Sequence, residues 1–237
     1  MIAPFYDSGL LIIGVVFMII GFIVSNTLKR KFSKYSKTPH SSGLSGAEAA
    51  QKMLDHHGIR DVKIQSVSGK LTDHYNPLDK TVNLSADVYQ GRNAAALAVA
   101  THECGHAVQH AKSYQWLQLR SKLVPIQNAS GKILNIIMIA SIFGGYALFN
   151  SINVNFILYV LIGTYGMTTL FTFVTLPVEF DASNRALEWI KNTGTSTTQE
   201  YEQSKDALKW AAMTYVVAAL SSLTTLLYLL SRLNSRD

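Results

Sequence analysis

A single cysteine, Cys104, stands in a chain of 237 residues, so no disulfide can form within it and no oxidising compartment is implied. Charge is scarce as well: 15% of the residues are Asp, Glu, Lys or Arg, against about 25% in a typical soluble domain. The shortage is concentrated. Ser8–Leu28, Ile133–Val178 and Trp210–Ser231 contain no charged residue, and no acid occurs between Glu103 and Glu179. A fully soluble protein, a disordered chain and a large many-helix transporter are thereby excluded. The uncharged runs also lack histidine, which argues against an ion path through them. There is no arginine-rich arm and no aromatic RNA-binding motif, so the net charge of +6 does not point to a nucleic-acid partner.

What is present is enough apolar sequence for membrane spans. A bilayer-spanning helix takes about 20 apolar residues. The outer runs have room for one span each, at 9–28 and 210–230, and the middle run for a transmembrane hairpin at 133–176 with a polar linker, Asn150–Asn155. Asp7 precedes the first run, and Lys29, Arg30, Lys31, Lys34 and Lys37 follow it. That order is the reverse of a cleavable signal peptide and fits an uncleaved anchor with its N-terminus outside. Threading four spans from there puts 38–130 and 177–209 together on the cytoplasmic side, which also carries nearly all the lysines and arginines.

Between the first two spans lies a segment with mixed signals. Lys37–Gly43 is a turn-rich linker. Ser45 and Glu48 have capping-box spacing for a helix whose apolar face is Ala47, Ala50, Met53 and Leu54, closed by Gly58. Val62–Val67 and Thr81–Ser85 alternate like strands, with Asp73–Lys80 between them as a turn. From about Arg92 to about Leu119 the sequence predicts one long alanine-rich helix.

On that helix sits His102-Glu103-Cys104-Gly105-His106, an HExxH motif. Residues four apart share a helix face, so the two imidazoles can converge on one ion. Glu103 projects beside them, where a general base acting on water belongs. Gly105 costs about 1 kcal/mol relative to Ala inside a helix, which makes sense if another segment approaches closely there. Cys104 points away from this face and is expected in the core.

Two histidines are too few, because a catalytic zinc usually takes three protein ligands. His110 does not serve: eight residues separate it from His102, about 12 Å of helical rise. The metzincin pattern fails too, with Gln109 in place of its glycine and Lys112 in place of its last histidine. The better candidates are Glu179 and Asp181, the first acids after the long gap. They lie about 200° apart on a helix, so both cannot face one ion. Glu179 has the longer reach and lies just past Pro177, in the expected first turn of a helix. Ser183 would then share its face, and Asp181 would turn to solvent or a basic partner.

These residues resemble the gluzincin-type metallopeptidases, in which HExxH is completed by a Glu from a later helix. More closely, 73–85 (DHYNPLDKTVNLS), 98–111 (AVATHECGHAVQHA) and 176–187 (LPVEFDASNRAL) resemble the YugP-type neutral zinc metallopeptidases of bacterial membranes. The resemblance implies that His102, His106 and Glu179 bind one zinc per chain and that Glu103 is catalytic. Heat-shock and CAAX-processing membrane zinc peptidases are more distantly similar; they carry an Asp four residues after the Glu, where this chain has Ser183. By analogy with zincins, strand Thr81–Ser85 would line the cleft and pair with an extended substrate.

The expected fold is therefore a mainly α-helical integral membrane protein, with about four transmembrane helices and a small zincin-like α+β catalytic domain. The expected function is a membrane-embedded zinc endopeptidase acting on peptide or membrane-protein substrates. It would be multi-pass in the plasma membrane of a bacterium, with its site on the cytoplasmic side near the bilayer. His74, Tyr89 and Arg185 are candidates for an additional transition-state donor, and Ser183 for support of a ligand. The competing expectation is a catalytically inactive zinc-binding membrane scaffold or sensor, against which the retained Glu103 weighs.

Overall fold

A computed structural model describes residues 7–151 and 154–234. Seven helices and a three-stranded sheet follow in the order α1 (Ser8–Tyr35), α2 (Gly46–His56), β1 (Lys63–Val67), β2 (His74–Asn76), β3 (Thr81–Ser85), α3 (Ala86–Tyr89), α4 (Ala94–Ala111), α5 (Gln115–Ser151), α6 (Val154–Asn192) and α7 (Thr198–Asn234). Four of the helices are long and apolar enough to cross a membrane, with mean hydropathies of 1.3 to 2.6 over their best windows. The chain divides into two compact units.

The first unit takes the sequence up to Ile23, Leu119–Leu176, and everything from Thr214, and is built from parts of α1, α5, α6 and α7. Leu10, Leu134, Ile137 and Tyr165 pack around Ile157, Leu158, Leu161 and Leu229. Large apolar side chains also face outward, among them Met18, Phe22 and Ile136, each about two-thirds exposed. Such a surface is costly in water and suited to lipid. Thr164, Thr168 and Thr169 return their hydroxyls to carbonyls four residues back, which satisfies polar groups within an apolar helix. Asp7 accepts the Gly9 N–H at the start of α1, the Tyr228 hydroxyl and the Arg232 guanidinium, tying together the ends of α1 and α7.

The second unit comprises Val24–Gln118 and Pro177–Met213. The capping box of α2 forms as its spacing requires: Glu48 N–H donates to Ser45 Oγ and Ser45 N–H to the Glu48 carboxylate. Gly58 adopts φ = 69° just past the end, a conformation in which a side chain would be strained. Ala49, and not the expected Ala47, joins Ala50, Met53 and Leu54 in the core. These pack on Leu97, Ala100, Cys104 and Val108 of α4, on Val82 and Leu84 of β3, and on Trp189 and Ile190 of α6.

Four local expectations need correction. The stretch read as a turn at 73–80 contains a third strand, β2, because three residues suffice to add a short edge. The sheet order is β1-β3-β2, with β3 parallel to β1 and antiparallel to β2. Thr81–Ser85 is therefore the central strand, buried at every position, and has no free edge to offer an extended substrate. The single helix expected to about Leu119 ends at Ala111. Ser113, at φ = 52°, closes it by donating to the His110 carbonyl, and Tyr114 N–H reaches back to the Gln109 carbonyl. Finally, Pro177 does not start a helix. It lies inside α6, and so Glu179 is far from any helix N-terminus. Part of the expected hairpin linker, residues 152 and 153, lies outside the described residues.

Candidate metal centre

α4 begins where Asn93 caps it, accepting the Ala96 N–H, and its alanine-rich face lies flat against α2. Small side chains let neighbouring backbones approach, and Gly105 is one point of close approach. A Cβ there would lie 2.5 Å from the carbonyl oxygen of Ala182 on α6. Glycine is thus required by contact with a second helix, as its cost inside a helix suggested.

That contact brings three side chains together. Nε2 of His102 lies 3.3 Å from Glu179 Oε2, and Nε2 of His106 lies 3.6 Å from the same atom. One candidate ligand atom from each of the three falls within 4.8 Å of the others. The two imidazoles meet edge to face, with ring centres 4.8 Å apart. Tetrahedral ligands at about 2.0–2.1 Å from a zinc ion stand about 3.3–3.4 Å from one another, and the two imidazole–carboxylate distances lie near that value. The donor set fits as well: two neutral imidazole nitrogens and a carboxylate, with a fourth position left for other groups. Glu179 is 3% exposed, and a carboxylate so deeply buried needs cationic company. Burial pulls the His106 imidazole down, but the adjacent Glu179 carboxylate outweighs it and leaves the ring above its ordinary value. Glu103 is also buried, directly after His102 and three residues before His106.

The other ring nitrogens are engaged. Ser183 Oγ lies 3.1 Å from His102 Nδ1, the contact expected one turn after Glu179. His106 Nδ1 lies 3.0 Å from Oε1 of Gln109. Asp181 turns away from the histidines and holds Arg185 Nε at 2.6 Å, as a basic partner, and also accepts from Gln109 Nε2 at 2.8 Å. Gln109 is the residue that sequence reasoning missed. Its signal was position alone, one turn after His106 on the same face of α4.

The remaining candidates are placed as follows. His110 Nδ1 lies 2.7 Å from the Tyr75 hydroxyl; burial pushes the Tyr75 phenol up to about 12. Cys104 is fully buried in the core, and burial raises its thiol far above the ordinary value. His74 is exposed on β2 with its ring on the Thr72 carbonyl, and Tyr89 packs against the α2–α4 core. Among the described residues no hydrogen bond joins either to the two histidines. Arg185 is committed to Asp181 and lies over the Tyr114 ring.

Residues 10–234 match the family described as "Putative neutral zinc metallopeptidase". The chain belongs to this family. It is 41% identical over 211 residues to the "Putative membrane protease YugP" of Bacillus subtilis (strain 168), covering 89% of this chain and 90% of that protein. No solved structure matches the chain. The family's metal agrees with the donors that α4 and α6 bring together.

Proposed function

We propose that this neutral zinc metallopeptidase family member is a membrane-embedded endopeptidase in which His102, His106 and Glu179 hold one zinc ion and Glu103 is the catalytic base. The convergence of two imidazoles and one buried carboxylate, with a second buried carboxylate, Glu103, beside His102 on the same helix, carries this reading. A purely structural site would be closed by four ligands and would need no base. When bound, zinc supplies a Lewis acid for the scissile carbonyl and a site at which water becomes acidic.

The chain's own residues do the rest. Glu103 takes a proton from the attacking water and returns it to the amine nitrogen as the C–N bond breaks. One carboxylate thus serves both halves of the reaction, and the water ends as the hydroxyl of the new acid and the proton on the new amine. Ser183 and Gln109 hold the two rings so that Nε2 faces inward. Substrates are peptides or membrane proteins, admitted at the cytoplasmic side of a bacterial plasma membrane. The basic cluster over the last turns of α1 and just past it, and the four apolar helices, support that orientation.

The test uses the full-length chain in detergent with casein or a membrane-protein substrate, before and after chelation and with zinc restored. Hydrolysis that is lost on chelation and regained with zinc is expected. A chain that binds one zinc and hydrolyses nothing would favour the scaffold instead. Cysteines placed at Lys34 and Glu202 in a Cys104→Ala background should be shielded from impermeant reagents in intact cells; labelling from outside would overturn the cytoplasmic assignment.

A further inference from the structure

Three hydrogen-bond contacts fix the side chain of Gln109 beside the candidate metal centre. Gln109 is fully buried in α4. Its Nε2 lies 2.8 Å from the Val178 carbonyl and 2.8 Å from Asp181 Oδ2, both on α6. A carbonyl and a carboxylate oxygen can only accept, so this nitrogen spends both its hydrogens there. The remaining amide atom, Oε1, is an acceptor and faces His106 Nδ1 at 3.0 Å. The proton in that contact must therefore come from the imidazole. His106 carries a hydrogen on Nδ1, and Nε2 is the ring nitrogen that faces Glu179, 3.6 Å away.

The amide cannot be turned over without facing its oxygen towards two acceptors and its NH2 towards the imidazole N–H. Arg185 strengthens the arrangement from behind, since its bond to the same Asp181 oxygen at 2.6 Å holds that carboxylate in place. The bonds to Val178 and Asp181 bracket Glu179 in sequence. One side chain on α4 thus orients one candidate ligand and grips the helical turn that presents another.

We propose that Gln109 is a positioning residue of the metal centre: it sets the tautomer of His106 and locks the Glu179 turn of α6 in register with the HExxH helix. This inference rests on the assignment of His102, His106 and Glu179 as zinc ligands. It extends that assignment to a residue outside the motif. Outer partners of this kind typically govern metal affinity by about 10–100-fold.

The tautomer is read without any substitution, by 15N NMR of the zinc-loaded, histidine-labelled full chain in detergent micelles. His106 should show a protonated Nδ1 and a metal-bound Nε2; metal on Nδ1 overturns the proposal. Zinc affinity is then measured by chelator competition for the wild type and Gln109→Met. Gln109→Met keeps the length and loses all three bonds; it should bind zinc about 10–100-fold more weakly, and the His106 Nδ1 signal should move while that of His102 stays in place. Unchanged affinity overturns the proposal, and so does weaker binding with an unmoved His106 signal, which is what a residue that merely filled space would give. Failure of the two assignments is distinguishable. A wild type that binds no zinc defeats the metal centre itself, whereas a wild type and Gln109→Met of equal affinity defeat only the role of Gln109.

Discussion

Gly105 and Ala182 meet so closely that a single added carbon on the first would sit 2.5 Å from the carbonyl oxygen of the second. In an ordinary helix interior, replacing glycine by alanine stabilises by about 1 kcal/mol. Here the clash is with backbone, which cannot rotate away. Gly105→Ala is expected to destabilise by about 1–3 kcal/mol, the usual cost of overpacking, and to weaken zinc binding by moving α6 off α4. Thermal unfolding and metal analysis of the variant check this. An alanine variant more stable than wild type would show that the two helices are not in contact.

Glu103→Gln should keep about one zinc per chain, because the candidate ligands are untouched. Its hydrolysis should fall by about 10²–10⁴-fold, the typical contribution of a general base. Metal content and turnover of the same preparation decide the point together. Near-normal turnover would remove Glu103 from the mechanism.

Glu179→Ala and Asp181→Ala should separate cleanly. The first removes a candidate ligand that lies within 3.6 Å of both histidines, and should abolish tight zinc binding and activity. The second leaves Gln109 still bonded to the Val178 carbonyl and should keep most of both. Loss of zinc in the Asp181 variant alone would mean that α6 is rotated about its axis from the arrangement described.

His40 offers a pH dependence away from the centre. Its ring is buried, with Nδ1 on Ser42 Oγ at 2.7 Å and Nε2 on Ser196 Oγ at 2.8 Å. Burial lowers its pKa, against the opposing pull of the nearby Glu200 carboxylate. The unfolded chain therefore binds this proton more readily than the folded one. Stability from His40 is present above the unfolded value of about 6.5 and is lost as pH falls below it. The melting temperature should fall more steeply between about pH 7 and about pH 5.5 in the wild type than in His40→Gln. Parallel curves would show that His40 does not contribute.

Patterns carried by neighbours in sequence were legible without a structure. The charge-free runs mark four long apolar helices, because the hydrophobic requirement is set by length and composition alone. Ser45 and Glu48 cap α2, since both partners of the box lie within one turn. The HExxH motif puts His102 and His106 on one face by helical period, and a glycine between them announced a close approach. The family could be named from the same short segments. What failed was local structure without a strong local signal. Ser113 ends α4 in a left-handed conformation that a glycine would have advertised, and β2 is too short to show a period. Pro177 looked like a helix start, yet lies within α6.

The partner for each side chain of the centre was decided only by tertiary packing. Reach and family pattern favoured Glu179 over Asp181, but it is the rotation of α6 against α4 that brings Glu179 to the histidines and gives Asp181 to Arg185 and Gln109. The same contact gives the two imidazoles different supports, a serine from the other helix and a glutamine from their own. The pairings between α4 and α6 span some 70 to 80 residues of chain, and no local propensity encodes them. They follow from which faces of two helices can bury themselves together, and that depends on every small side chain along the line where α4 and α6 touch.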